Sequence, residues 1–218
     1  DIYKRSTITQ ELIDEFDINN IFLATGSHWR NDGIGRSNRY GIAGLSSVNV
    51  LTPTDVLNQQ DSLGESIVIY DDDQGYLAGV IADHLSSAGH NITFVTPASV
   101  VSPWTEHTLE LERIQTTLLN QGVNIILNKT LVHAREGSVD ARCVYTQRVS
   151  QIPCKTLILV TERLPETTLY EQLMASTKGG SLNKHRHIEL IGDALAPGLI
   201  ADAIYSGHLA AENFETPE

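Results

Sequence analysis

The sequence predicts an α/β protein built from parallel strands and covering helices. Three observations predict it. Strand-like and helix-like patterns alternate from residue 67 onward, with "IVIYD", a helical run and "NITFVT" in succession. Short apolar strands recur near both ends, "NIFLAT" at 20–25 and "HIELIG" at 187–192. A glycine closes each of these, Gly26 just after the first and Gly192 at the end of the second, which lets the backbone turn sharply or approach a ligand.

Taken in order, Thr9 caps a helix "QELIDEF" with Leu12, Ile13 and Phe16 on one face, and the strand "NIFLAT" follows. A glycine-rich loop, "GSHWRNDGIGRSNRYGIAGL", leads to a short helix opened by Thr52 or Thr54. The next helix carries Leu77, Val80, Ile81, His84, Leu85 and Ala88 at helical spacing and stops at Gly89, which completes a βαβ unit with "NITFVT". A further helix is expected to open at Thr105, point Leu111, Ile114 and Leu118 inward and stop at Gly122 before the strand "VNIIL". Then "TLVHARE", "ARCVYTQRV" and "KTLILVT" read as a β-meander with a buried strand at 156–161, punctuated by the turn signals "EGSVD" and "SQIP". A final strand ends at Gly192-Asp193, and a long helix presents Leu199, Ala203, Gly207 and Ala210 as a close-packing face.

Composition narrows the function classes. The 218 residues carry a net charge of −12, so nucleic acid and anionic membrane surfaces, which need clustered Lys and Arg, are not expected as partners. Apolar runs stay far below the roughly 18 residues that cross a bilayer, and the N-terminal stretch lacks a signal-peptide layout, so a cytoplasmic address is expected. Cys143 and Cys154 form no CxxC pair and are expected to be plain reduced thiols, and no metal site is expected. The "HRH" at 185–187 reads as a solvated polar surface.

The turn after residue 70 draws attention. A working dinucleotide fingerprint uses one glycine for a tight turn, one for close approach of the pyrophosphate and one for helix packing. Here Asp73, Gly75 and Ala78 stand in those places, within "YDDDQGYLA". A carboxylate about 5 Å from a phosphate charge costs about 3 kcal/mol at an effective dielectric near 20, against roughly 8 kcal/mol behind a micromolar complex. The second strand ends in Val95-Thr96-Pro97, without the acid that would grip an adenosine ribose. The expectation is a degenerate turn empty of NAD(P), with Asp71, Asp72 and Asp73 forming a solvated acidic surface near a helix start. A cation site at these three acids is the lesser alternative, since consecutive acids on one turn do not converge on an ion unaided.

The motifs "VIYDDDQGYLAGVIADHL", "SPWTEHTLE", "LVTERLPETTLYEQL" and "LIGDALAPGLIADAIYSGH", with "IFLATG" near the start, resemble the nucleotide-domain region of the trimethylamine, dimethylamine and histamine dehydrogenase group. The resemblance covers nearly the whole chain. It implies Rossmann-like three-layer domains of the glutathione-reductase type: an NAD(P)-type domain with a β-meander, residues 53–165, inserted into a residual FAD- or ADP-type domain formed by 1–52 and 166–218. It also implies a longer parent protein with an FMN-holding barrel and a four-iron, four-sulfur cluster, in which the remainder of the parent chain is the partner. Thr25, Gly26, Gly192 and Asp193 are then the candidate contacts to FAD or ADP, with Gly75 and Ala78 as relics of the NAD-type turn.

No nucleophile with a partner base is visible, so this region is expected to hold no catalytic residue and to bind no cofactor firmly by itself. Two other readings compete with it. One is a working FAD- and NAD(P)H-dependent reductase module of the dienoyl-CoA-reductase or disulfide-reductase type, which would want a CxxC or an intact glycine fingerprint. The other is an interaction module that forms homo-oligomers through an exposed sheet edge.

Overall fold

The structure, a computed structural model, describes residues 1–58, 63–178 and 186–214. The chain divides into two compact units: residues 1–28 with 163–218, and residues 29–162.

The first unit opens with α1 (Gln10–Glu15), capped as expected by Thr9, whose hydroxyl accepts from the Leu12 amide. Ile13 is the residue α1 buries, while Phe16 lies in the helix C-cap and is 68% exposed, so the expected apolar face is narrower than its pattern. β1 (Asn20–Leu23) follows, and β2 (Ser27–Trp29) leads into the second unit.

In the second unit β3 (Asn49–Leu51) precedes α2 (Pro53–Asn58), which starts at Thr52: its hydroxyl meets the Asp55 amide, and the Asp55 carboxylate accepts from the Thr52 amide. Next come β4 (Ile67–Asp71), α3 (Leu77–Ser87), β5 (Ile92–Val95), α4 (Leu111–Asn120) and β6 (Asn124–Ile126). Thr105 does not open α4. It sits buried in a short 3-10 turn, Pro103–Glu106, with its hydroxyl donated to the Ser102 carbonyl, and the helix starts six residues later. Gly89 and Gly122 adopt left-handed backbone just past α3 and α4, where a side chain would be strained.

Three antiparallel strands follow, β7 (Lys129–Arg135), β8 (Ser138–Cys143) and β9 (Val149–Pro153), and then the buried β10 (Thr156–Val160). The meander is present, but its punctuation differs from expectation. "ARCVYTQRV" is cut by a turn in which Gln147 has φ +60, and "SQIP" is itself most of β9. β11 (Arg163–Pro165), α5 (Thr168–Lys178), β12 (His187–Leu190) and α6 (Ile200–Asn213) return to the first unit.

The second unit is a three-layer sandwich. Its parallel sheet has the order β3-β10-β4-β5-β6. Strand alternation assigns the layers: Ile67, Ile69, Ile158 and Val160 pack with Ile81, Leu85, Ile114 and Leu118 of α3 and α4. Val68, Tyr70, Leu157 and Leu159 pack instead with Leu131, Val139, Ala141 and Ile152 of the meander. A sheet buried on both faces explains the near-continuous apolar runs of β4 and β10.

The first unit holds a two-stranded parallel sheet, β1 with β12, and a small core of Ile13, Ile21, Leu23 and Leu173. Leu173 belongs to α5, a helix that the sequence pattern did not announce. On α6, Ala210 is buried with Ala203 and Gly207 partly so, whereas Leu199, at the N-cap, is 56% exposed and does not belong to the packing face. Of the "HRH" expected to form a solvated polar surface, His187 opens β12 and His185 lies outside the described residues. Arg186 is not solvated: its side chain is almost fully buried and ion-paired with Asp14.

The first crossing between units falls after His28, not near residue 52. The reason is pairing: β3 joins β10 in register from Asn49 to Leu51, and Ile42 belongs to the core beneath the meander.

Candidate functional site

Two strand ends carry the predicted residues, one in each unit. In the second unit the order β10-β4-β5 places the switch in strand order between β4 and β10, and ligands of open parallel sheets bind outside the strand ends at such a switch. β4 ends there in Asp71, and the Asp72 and Asp73 amides both donate to the Val160 carbonyl of β10, at 2.9 and 3.0 Å.

The acids are not a solvated surface. Asp71 and Asp72 are fully buried. Asp71 Oδ1 accepts from the Gln74 amide at 2.8 Å, and its Oδ2 has no hydrogen-bond partner among the described residues. Burial pushes the Asp71 carboxyl up to about 8, against the Gln74 amide, with the Asp73 and Asp72 carboxylates adding to the rise.

Asp72 has a different partner. Its Oδ2 accepts from the backbone amides of Ser37 at 2.8 Å and Asn38 at 3.2 Å. Burial raises the Asp72 carboxyl as well, and the Ser37 and Asn38 donors and the Arg36 charge oppose the rise. The expected solvation failed because the glycine-rich loop of residues 30–42 folds over the turn, a contact some 35 residues away in sequence.

That loop is itself well tied. Arg30 and Asp32 form a bidentate pair at 2.9 and 2.5 Å, Asp32 takes the Ile34 amide at 3.0 Å, and the Ile42 amide reaches the Asp32 carbonyl at 2.8 Å. Asn38 donates its side-chain amide to the Leu131 carbonyl of β7 at 2.8 Å. Gly35 passes so near the turn that a Cβ there would sit 2.6 Å from Asp72 Oδ2.

The degenerate fingerprint fares as follows. Gly75 has ordinary negative φ, and a Cβ on it would meet Asp73 Oδ2 at 2.6 Å, so its smallness serves the acidic turn. The left-handed residue is Gln74, φ +64. Ala78 is buried in the α3 core, but the tightest approach belongs to Gly79, where a Cβ would come 2.9 Å from Ser102 Oγ and 3.1 Å from Ile114. Gly79 was passed over because the pattern was registered on the residue before it.

In the first unit Gly26 and Gly192 both have positive φ, +83 and +60. Space around Gly26 is open, whereas Gly192 faces Ala203 of α6 and donates its amide to Ser206. The Thr25 hydroxyl is donated to the Glu166 carbonyl, not held toward open space. Asp193 Oδ2 accepts from Arg163 at 2.7 Å and Ser27 at 3.0 Å, and its Oδ1 from the Gly198 amide at 3.1 Å. Arg163 also donates to the Gly198 carbonyl at 2.7 Å. Sequence reading missed Arg163 and Ser27, because an arginine in "TERLP" and a serine in "TGSH" carry no pattern of their own.

As a nucleotide site this set offers one open backbone turn at Gly26 and one unfilled acceptor position on Asp193, without a row of free backbone donors for a diphosphate. A group of three or more His, Cys, Asp or Glu side chains able to hold a metal ion is absent among the described residues. Among these residues no helix is long and apolar enough to cross a membrane.

The layout is that of a Rossmann-like α/β protein in which the loop of residues 30–42 hydrogen-bonds the turn after β4. Comparison with known proteins then places it more narrowly. Residues 51–152 match the family model of the OYE-like second alpha/beta domain. Dimethylamine dehydrogenase of Hyphomicrobium sp. (strain x) is 28% identical over 97% of the chain. The structure of histamine dehydrogenase from Rhizobium sp. 4-9 superposes with a TM-score of 0.89 at 36% identity over 98% of the chain. That of 6-hydroxypseudooxynicotine amine oxidase from Pseudomonas geniculata N1 does so with a TM-score of 0.90, also at 36% identity over 98%. Over nearly its whole length the chain is thus similar to dimethylamine dehydrogenase, histamine dehydrogenase and 6-hydroxypseudooxynicotine amine oxidase. It spans about a third of these relatives' lengths: 31%, 33% and 32%.

Proposed function

We propose that this chain is the nucleotide-type region of an amine-oxidising oxidoreductase, a region that supplies structure and no chemistry of its own. The observation that carries the reading is the 36% identity, kept over 98% of the chain, to histamine dehydrogenase and to 6-hydroxypseudooxynicotine amine oxidase. In this reading FMN and a four-iron, four-sulfur cluster are held elsewhere in the parent, and FMN supplies the two-electron oxidation of the amine. Among the described residues neither Cys143 nor Cys154 belongs to a group of three or more His, Cys, Asp or Glu side chains able to hold a metal ion.

The 1–28 and 163–218 unit is of the FAD- or ADP-binding type, with Thr25, Gly26, Gly192 and Asp193 lining its strand ends. Because Thr25 and most of Asp193 are engaged internally, any nucleotide contact there runs chiefly through backbone. The 29–162 unit is the NAD(P)-type domain, and its mouth admits no coenzyme, since a diphosphate entering beside Gly75 would meet Asp72 and the loop that Asp72 holds.

The test is the parent polypeptide, expressed entire and purified with its flavin. Bleaching of the flavin spectrum by a secondary amine, a tertiary amine or histamine, and not by NADH or NADPH, is expected. Rapid bleaching by a nicotinamide coenzyme would overturn the reading.

A further inference from the structure

In a coenzyme-binding mouth the turn after the first strand supplies backbone donors and the ligand supplies the anion. Here the roles are exchanged. The turn supplies an anion, Asp72, and a separate loop supplies the donors, the successive amides of Ser37 and Asn38. We propose that residues 36–38 form an oxyanion nest that Asp72 fills as a built-in ligand, and that a small tetrahedral oxyanion occupies the nest when the Asp72 carboxylate is removed.

Four observations converge on this. Two consecutive backbone N–H groups point at one carboxylate oxygen, which is how nests bind anions. Asp72 is fully buried, its Oδ1 has no hydrogen-bond partner among the described residues, and its other contacts, the Ser37 hydroxyl and the Arg36 charge, come from the same loop as the two amides. The approach depends on Gly35, where a Cβ would come within 2.6 Å of the liganded oxygen. The loop is pre-organised apart from Asp72, through Arg30 with Asp32, Asn38 with Leu131 and the Gly35 amide with the Asn38 carbonyl at 3.0 Å. A nest built that way persists when its ligand is cut off, as an empty anion site of the right polarity. The inference deepens the reading of the 29–162 unit as a self-closed dinucleotide-type domain and rests on it.

The experiment uses the 218-residue chain as wild type, Asp72→Ala and Asp73→Ala, titrated with inorganic phosphate at constant ionic strength. Thermal midpoint and 31P line broadening are the readouts. A ligand that binds only the folded state raises its stability in proportion to ln(1 + [L]/Kd). Asp72→Ala is expected to gain a saturable phosphate response at least about tenfold stronger than wild type, and Asp73→Ala to gain none. Equal responses in all three chains, or the same gain in Asp73→Ala, overturn the nest. Should Asp72→Ala not fold, amide exchange in the wild type decides: Ser37 and Asn38 amides slowed to the level of core strands support the proposal, and amides exchanging at open-loop rates overturn it. NADH binding to the wild-type chain would sink the proposed function, whereas a missing phosphate response with no NADH binding sinks the nest alone.

Discussion

Each unit ends a parallel strand in an acidic turn, yet the two turns solve the same electrostatic problem differently. In the 29–162 unit Asp71 and Asp72 are buried and accept from backbone amides, with no ion pair to either among the described residues. In the other, Asp193 keeps partial exposure and takes a direct ion pair from Arg163. Burial resists ionisation of Asp71 and Asp72, and the backbone amides they accept from oppose that resistance. The first turn is consequently sensitive to pH and to packing, while the second is sensitive to salt.

The largest way to sharpen this contrast is pH. Asp71 titrates at about 8 in the folded chain and near its ordinary 3.8 when unfolded, so the folded state binds the extra proton between those values. Its favourable contribution is complete below about 3.8 and is lost as pH rises to about 8, and the raised Asp72 acts in the same sense. Asp32 and Asp140, lowered by their arginine partners, change stability only in acid, outside this window. Urea midpoints followed by tryptophan fluorescence report this unit, since both tryptophans, Trp29 and Trp104, lie in it. Stability is expected to fall from pH 5 to pH 7, below the range where ionisation of the lowered Cys143 thiol opposes the trend, and Asp71→Asn to flatten that slope, since a pKa unit is worth about 1.4 kcal/mol. An unchanged slope in the variant would show that Asp71 is ionised in the folded chain.

Packing gives the next contrast. Gly35→Ala places a methyl against Asp72 Oδ2 and is expected to cost about 2 kcal/mol, as overpacking does. Gly26→Ala meets open space and pays only for left-handed backbone, about 1 kcal/mol. Denaturant curves for the two variants test the order, and a reversed order would mean that the loop over Asp72 yields easily. Below both stands Arg163→Met, expected to cost about 1 kcal/mol or less and to lose its effect in high salt, because its pair with Asp193 is partly exposed.

The same contrast explains what the sequence made legible. Local signals survived: Thr9 and Thr52 cap helices, Gly89 and Gly122 end them, and the βαβ unit and buried β10 lie where their periodicity puts them. What failed was nonlocal or weakly patterned. Thr105 looks like a cap but is spent on a 3-10 turn, and α5 buries Leu173 alone among its residues of described burial, too little for periodicity to show. At the site, three consecutive acids read as solvated because nothing within a few residues covers them. Their cover is the loop at 30–42, and only its glycine density and its Ser-Asn pair hint that backbone there comes close to something. The first unit's turn was read correctly as glycine-bearing, but the arginine that neutralises it arrives from β11 and had no local signature.

The smallest expected effect measures whether the acidic mouth opens at all. Cys143 lies partly exposed, its thiol lowered to about 7 by hydrogen bonds from the Thr146 hydroxyl and the nearby Thr146 and Tyr145 amides. Cys154 is buried behind Val68 and Leu157, which pushes its thiol up to about 12. At pH 7.5 a thiol reagent is expected to titrate Cys143 promptly without altering stability, and to reach Cys154 only through opening of the same core that encloses Tyr70. The rate at Cys154 should therefore rise with pH toward 9 in the wild type more steeply than thiolate formation requires, and Asp71→Asn should remove the excess. Equal rates in the two chains across that range would uncouple the buried acid from the opening of its unit.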